Sequence, residues 1–147
     1  MRIAVLNGPN LNLLGTREPD VYGTTTLAEI ERRTREVARE LRVEVEFDQT
    51  NSEGGLIDRI HALRGSAAGV VINAGAYSHT SLALRDAFSA VRVPSVEVHV
   101  TNVHAREPER RHSMLASAAT AVLCGFGALG YELALRGLVA KLAAQSA

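Results

Sequence analysis

The run Val96-Glu97-Val98-His99-Val100-Thr101-Asn102-Val103-His104-Ala105-Arg106 begins apolar and β-branched and ends as groups that can hold or move protons. Alternation of Val96, Val98 and Val100 with Glu97, His99 and Thr101 predicts a strand carrying all three polar side chains on one face. Asn102, His104, Arg106 and Arg110 follow, where an ordinary loop would use Gly, Ser and Asp. Upstream, Arg17 and Tyr22 share one connecting stretch. A phenol, with an ordinary pKa near ~10, is a poor base unless a cation stabilises its phenolate. Arg17 could be that cation if the stretch folds the two together. The phenolate could then take a proton from a carbon beside a carbonyl. The enolate that forms needs donors already in place, and Asn10 or an ordered water could supply them. His99 could give a proton to a departing hydroxyl, while Asn73, backbone amides near Thr101, and Arg110 would suit a carboxylate. Together these groups fit elimination from a hydroxylated keto acid.

Such groups must be positioned by elements, and the sequence alternates strands with helices. Strands are predicted at Ile3 to Asn7, Val43 to Phe47, Gly69 to Asn73, Pro94 to His99 and Thr120 to Cys124. Helices are predicted at Thr26 to Leu41, Glu53 to Leu63, Thr80 to Ala90 and Ala128 to Leu142, with Thr26 and Ser52 at capping positions. Strands separated by helices imply parallel pairing with right-handed crossovers. The expected architecture is a single domain over 1–147, a flavodoxin-like, doubly wound α/β sandwich of three layers with a five-stranded parallel sheet. Ligands of such folds sit beyond the carboxyl ends of the strands. Those ends read Asn7-Gly8-Pro9-Asn10, Asp48-Gln49-Thr50-Asn51, Asn73-Ala74-Gly75-Ala76-Tyr77-Ser78-His79 and His99-Val100-Thr101-Asn102. Any one could be a simple turn, but all four carry amide or imidazole groups, so they are expected to converge on one site. The stretch Leu11 to Gly23 exceeds the ~2–6 residues usual for such a connection. With Gly15 and Gly23 available as hinges and Arg17 and Tyr22 between them, it reads as a lid; the alternative is a loop that Tyr22 packs down, with Arg17 solvated or paired to Glu18.

Composition closes off other classes. The 147 residues carry equal numbers of acidic and basic side chains, 16 of each, which argues against a nucleic-acid binder. The apolar start, Ile3 to Leu6, is too short for a signal peptide or membrane span. A lone Cys124 in an apolar stretch reads as a small buried hydrophobe and points to a reducing cytoplasm. No zinc site is expected: His99 and His104 lack a matched partner pair, and no HExxH or CxxC occurs. The Gly8-Pro9-Asn10 turn after the first strand lacks the G-x-G-x-x-G form, and Pro9 removes an amide that could bind phosphate. The absence of G-x-S-x-G weakens a serine hydrolase. The only lysine, Lys141, lies on the last helix, far along the chain from every strand end, which leaves no candidate for a Schiff base.

Leu6-Asn7-Gly8-Pro9-Asn10-Leu11-Asn12-Leu13-Leu14-Gly15-Thr16-Arg17-Glu18-Pro19 with Tyr22-Gly23 resembles the opening signature of type II 3-dehydroquinate dehydratases. Gln49 to Gly54, Asn73 to Ser81 and Glu97 to Arg106 match further blocks of that family in order, so the resemblance covers essentially the whole chain. It implies reversible dehydration of 3-dehydroquinate to 3-dehydroshikimate in the shikimate pathway, by anti elimination through an enolate without metal, cofactor or Schiff base. It implies Tyr22 as base with Arg17 favouring its phenolate. It implies Asn10 as holder of the water that steadies the enolate, and His99 as acid oriented by Glu97. Asn73, His79, Val100, Thr101 and Arg110 would bind the substrate's carboxylate and hydroxyls, and Asp86 would reach a neighbouring subunit's site. It also implies trimers that assemble into a dodecamer. Thr101 stands where the family usually has Ser, Gly55 for Glu, Glu109 for an aromatic and Met114 for Tyr, so Arg110 is the role most exposed to change. The alternative is a flavodoxin-like small-molecule binding protein without activity, in which Tyr22→Phe would change little.

Overall fold

The computed structural model describes residues 1–147. Its regular elements run β1 (Arg2–Asn7), α1 (Pro19–Tyr22), α2 (Leu27–Leu41), β2 (Glu44–Gln49), α3 (Glu53–Ala62) and β3 (Gly69–Asn73). The chain continues with α4 (Tyr77–Thr80), α5 (Leu82–Val91), β4 (Ser95–His99), β5 (Ala121–Cys124) and α6 (Leu129–Gln145). All five strands are parallel, in the order β2-β1-β3-β4-β5. The architecture is the flavodoxin-like α/β sandwich expected from the alternation of elements.

The two-residue period of the strands divides the core. Ile3 and Val5 of β1, Val71 of β3, and Val96 and Val98 of β4 pack with Ile30, Val37, Leu135 and Leu138 from α2 and α6. The intervening Ala4, Leu6, Val70 and Ile72 turn to the other face and meet Leu56 and Ile60 of α3 and Leu84 and Phe88 of α5. Each such fully buried aliphatic or aromatic side chain contributes roughly 1.5–3 kcal/mol. In β4 the same alternation directs Glu97 and His99 away from the valines, so they share a face within a strand that is buried throughout. Side-chain caps fix the helix starts: Thr26, Ser52 and Ser81 oxygens accept from the N–H groups of Glu29, Gly55 and Leu84.

Three sequence expectations change. The third helix forms as α5, starting two residues later than expected, and an unforeseen helical turn, α4, precedes it; the Ser81 hydroxyl ends the one and caps the other by offering the backbone an alternative to one continuous helix. The polar alternation of β4 stops at His99, and Val100 and Thr101 bend out of the sheet. Cys124 is half-buried instead of buried, since β5 is the sheet edge and lacks a covering strand.

Candidate active site

Strand register brings the carboxyl ends level. Asn7 of β1 pairs with Gln49 on one side and Asn73 on the other, and His99 pairs with Cys124. Gly8 lets the first two loops meet: its N–H donates to the Asn73 carbonyl at 2.8 Å, and a Cβ there would lie 2.4 Å from the Ala74 carbonyl oxygen. Above these ends lies a cleft whose lining includes Asn10, Arg17, Tyr22, Asn73, His79, His99, Val100, Thr101, Arg106 and Arg110.

Asn73 is held from below. Its Nδ2 donates to the Tyr131 hydroxyl at 2.9 Å, and that hydroxyl donates to Asn7 Oδ1 at 2.7 Å. Asn7 Nδ2 in turn donates to the Asp48 carbonyl. Burial pushes the Tyr131 hydroxyl far above the ordinary phenol range, so it stays protonated and keeps its donor role. Asn10 sits in the left-handed region at φ 67°, its backbone N–H donating to Asn51 Oδ1 at 3.0 Å.

The long connection is folded down over the cleft, as a 3-10 turn at Leu11–Leu13 and the single helical turn α1. It brings Arg17 onto Tyr22, but against the face of the ring, 4.5 Å from its centroid. The guanidinium that reaches the hydroxyl belongs to Arg106, whose Nη1 donates to it at 3.0 Å. A phenolate at Tyr22 would therefore have one cation on its oxygen and another over its ring. The sequence reading gave Arg106 no role. Its signal was its place in the polar run after β4, but 84 residues separate it from Tyr22.

Across the cleft, His99 Nε2 lies 2.6 Å from Glu97 Oε1. With Glu97 a carboxylate, Nε2 donates, and Nδ1 is the ring nitrogen left for the cleft. Glu97 is fully buried and does not line the cleft itself. His79 stacks beside His99 with ring centroids 5.9 Å apart, and its Nδ1 donates to the His112 carbonyl at 2.8 Å. Burial holds the His79 imidazole below its ordinary pKa against the opposing pull of that carbonyl, and the charges of His99 and Arg110 add to the effect. Arg110 is paired with Glu107 at 2.5 Å.

Val100 and Thr101 reach the cleft because the turn after β5 fixes them. Gly125 and Gly127 N–H groups donate to the His99 and Val100 carbonyls at 3.2 and 2.9 Å. Gly125-Phe126-Gly127-Ala128-Leu129-Gly130 does have the G-x-G-x-x-G form absent from the first turn. Two of its amides are spent on the His99 and Val100 carbonyls, so it serves as a clasp for the site and not as a phosphate cradle. Asp86 is exposed on α5, outside the cleft of its own chain. Lys141 lies near the far end of α6, whose Leu138 and Leu142 pack at Gly69, the start of β3. That is the amino end of the sheet, opposite the cleft.

The fold and the cleft define a class: a flavodoxin-like protein with a phenol, two imidazoles and three guanidinium groups around one cleft at the strand ends. The family model described as Dehydroquinase class II matches residues 1–139. The chain belongs to that family and is an enzyme of its hydro-lyase kind. It is 65% identical to the 3-dehydroquinate dehydratase of Gemmatimonas aurantiaca, over 97% of this chain and 93% of that one. It is 58% identical to the 3-dehydroquinate dehydratase of Dinoroseobacter shibae, over 98% and 96%. Among solved structures, the type II dehydroquinase of Butyrivibrio crossotus superposes with a TM-score of 0.92 at 39% identity, covering 94% of this chain and 97% of that one.

Proposed function

We propose that this chain dehydrates 3-dehydroquinate to 3-dehydroshikimate, reversibly, within the shikimate pathway, with Tyr22 as base and His99 as acid. The observation that carries the reading is the Tyr22 hydroxyl held by Arg106 on one side of a cleft whose other side presents His99, bonded from behind by the buried Glu97. A Tyr22 phenolate takes the proton from the carbon beside the ketone, and the electron pair of that C–H bond passes into an enolate. Asn10, through a bound water, donates to the enolate oxygen. The enolate then collapses, the β C–O bond breaks, and the departing oxygen takes a proton from His99 and leaves as water. The product is a conjugated enone, and no lysine or cofactor enters any step.

Asn73, His79, the amides at Val100 and Thr101, and Arg110 hold the substrate's carboxylate and hydroxyls. Asp86, exposed on α5, reaches the cleft of a neighbouring subunit in a trimer, and trimers assemble into a dodecamer. The cytoplasm is the setting that fits a pathway enzyme with one unpaired cysteine. No helix is long and apolar enough to cross a membrane.

The test is ultraviolet absorbance of the enone after mixing purified protein with 3-dehydroquinate, with and without borohydride. Turnover indifferent to borohydride is expected. Turnover lost only when borohydride and substrate are added together would mean an imine forms and would overturn the mechanism. No turnover by folded, assembled protein would overturn the activity and leave a binding protein.

A further inference from the structure

The mechanism above uses Glu97 only through His99, and it leaves Ser113 without a role. Ser113 follows Arg110 in the loop between β4 and β5. Its Oγ accepts from the N–H groups of Leu115 and Ala116, both at 3.1 Å. Those two bonds fill the hydroxyl's acceptor capacity, so its proton has one direction left: Glu97 Oε1, 2.6 Å away. The same Oε1 accepts from His99 at 2.6 Å, while Glu97 Oε2 is buried without a hydrogen-bond partner. Ser113 and His99 are therefore the two donors to a fully buried carboxylate, and both act on one oxygen.

We infer that Ser113 is a positioning residue for the acid step, setting through Glu97 how tightly His99 holds its proton. This rests on the reading of His99 as acid. Burying a carboxylate is costly unless donors hold it. With Ser113 present, part of the negative charge on Oε1 is stabilised by a neutral hydroxyl. With Ser113 gone, His99 becomes the only donor, the pair tightens, and the imidazolium gives up its proton less readily. His99 lines both the substrate cleft and a second cleft, whereas Glu97 and Ser113 line only the second. Ser113 can thus alter proton transfer without touching substrate. Arg106 and Arg110 face His99 from the first cleft and His79 stacks on it; Arg85, His104, Arg111 and His112 line the second. None of them bonds the Glu97 carboxylate, so no other group replaces the lost donor.

The experiment compares Ser113→Ala and Ser113→Thr with wild type in kcat, KM and the pH profile of kcat/KM. It adds the downfield proton line of His99 Nε2–H in the resting protein, assigned by its loss in His99→Gln. Ser113→Ala is expected to lower kcat about tenfold, a share of the ~10²–10⁴ that general acid–base groups supply, with KM unchanged. Its alkaline limb is expected to move to higher pH and its Nε2–H line to shift. Ser113→Thr, which keeps the hydroxyl, is expected to match wild type, and it tests the inference by itself if the Ala variant does not fold. Unchanged kcat and limb in Ser113→Ala, or a folded Thr variant as impaired as Ala, would overturn the inference. The proton line is read without substrate, so its outcome stands apart from turnover, and absence of wild-type turnover would count against the proposed function instead.

Discussion

Tyr22 is held by two cations in different ways: Arg106 bonds its oxygen and Arg17 covers its ring. Replacing Tyr22 by Phe keeps the ring and its packing against Arg17, so thermal unfolding should change little. The same variant removes the proposed base, and turnover should fall below detection in the enone assay. Arg106→Ala is expected to lower kcat by about 10- to 100-fold, the rate equivalent of a charge-assisted hydrogen bond of ~1.5–3 kcal/mol. Arg17→Ala should retain the oxygen contact and therefore cost less than Arg106→Ala; equal losses would assign the lid cation a larger share. At Tyr131, removing the hydroxyl leaves Asn7 Oδ1 and Asn73 Nδ2 short of a partner inside the core. Tyr131→Phe should lose roughly 1–3 kcal/mol in urea unfolding and raise KM, because Asn73 is no longer aimed. Residue types alone brought Tyr22, Arg17 and His99 to notice. Arg106 and Tyr131 escaped because their partners lie 84 and 124 residues away, and only the folded lid and the seated last helix create those contacts.

Elements deliver these residues through a few close backbone approaches. Gly8 is the tightest, for an added Cβ would sit 2.4 Å from a main-chain oxygen that cannot swing aside. Gly8→Ala must push the end of β1 away from the end of β3, at the typical overpacking cost of about 1–3 kcal/mol. Because Asn10 and Asn73 ride on those two loops, kcat/KM should fall further than that stability loss alone explains. Urea unfolding and steady-state kinetics on one preparation check both halves. The strand–helix order was readable from hydrophobic period, and the caps at Thr26 and Ser52 from residue type. The turn α4 before Ser81 was not, because Tyr77 to Thr80 is too short to show a helical period, and only the Ser81 hydroxyl's bond to Leu84 N–H shows where α5 starts. The connection after β1 could be read as unusually long. Its folding into two short helical turns could not, since neither turn has a periodic face.

For the whole molecule, the site's charge has a consequence for acid stability. In the folded chain burial lowers the pKa of His79, and the nearby charges of His99 and Arg110 further disfavour its protonation. The unfolded chain takes that proton near the ordinary value of ~6.5. Between the depressed folded pKa and that value the unfolded state binds more protons, so stability rises with pH there. This contribution is complete above ~6.5 and is lost as pH falls through the folded value. Glu29, which hydrogen bonds from Arg32 and Arg33 hold down to about 2, titrates well below this window. Glu107 is also held below the carboxylate range, by its own backbone N–H and then by Arg110, so neither acid produces a slope near neutrality. The urea midpoint of wild type should therefore drop between pH 7.5 and pH 5.5 (roughly one unit either side of that ordinary value), and the drop should be smaller in His79→Gln. An equal drop in both proteins would place the acid-sensitive group elsewhere. Under the proposed role of Arg110 the same charges bear on function, because an anion seated against it offsets one of the cations that disfavour protonation of His79. Adding a saturating unreactive carboxylate analogue should move the wild-type midpoint upward and flatten its dependence on pH, whereas His79→Gln should gain the stability without the change in slope.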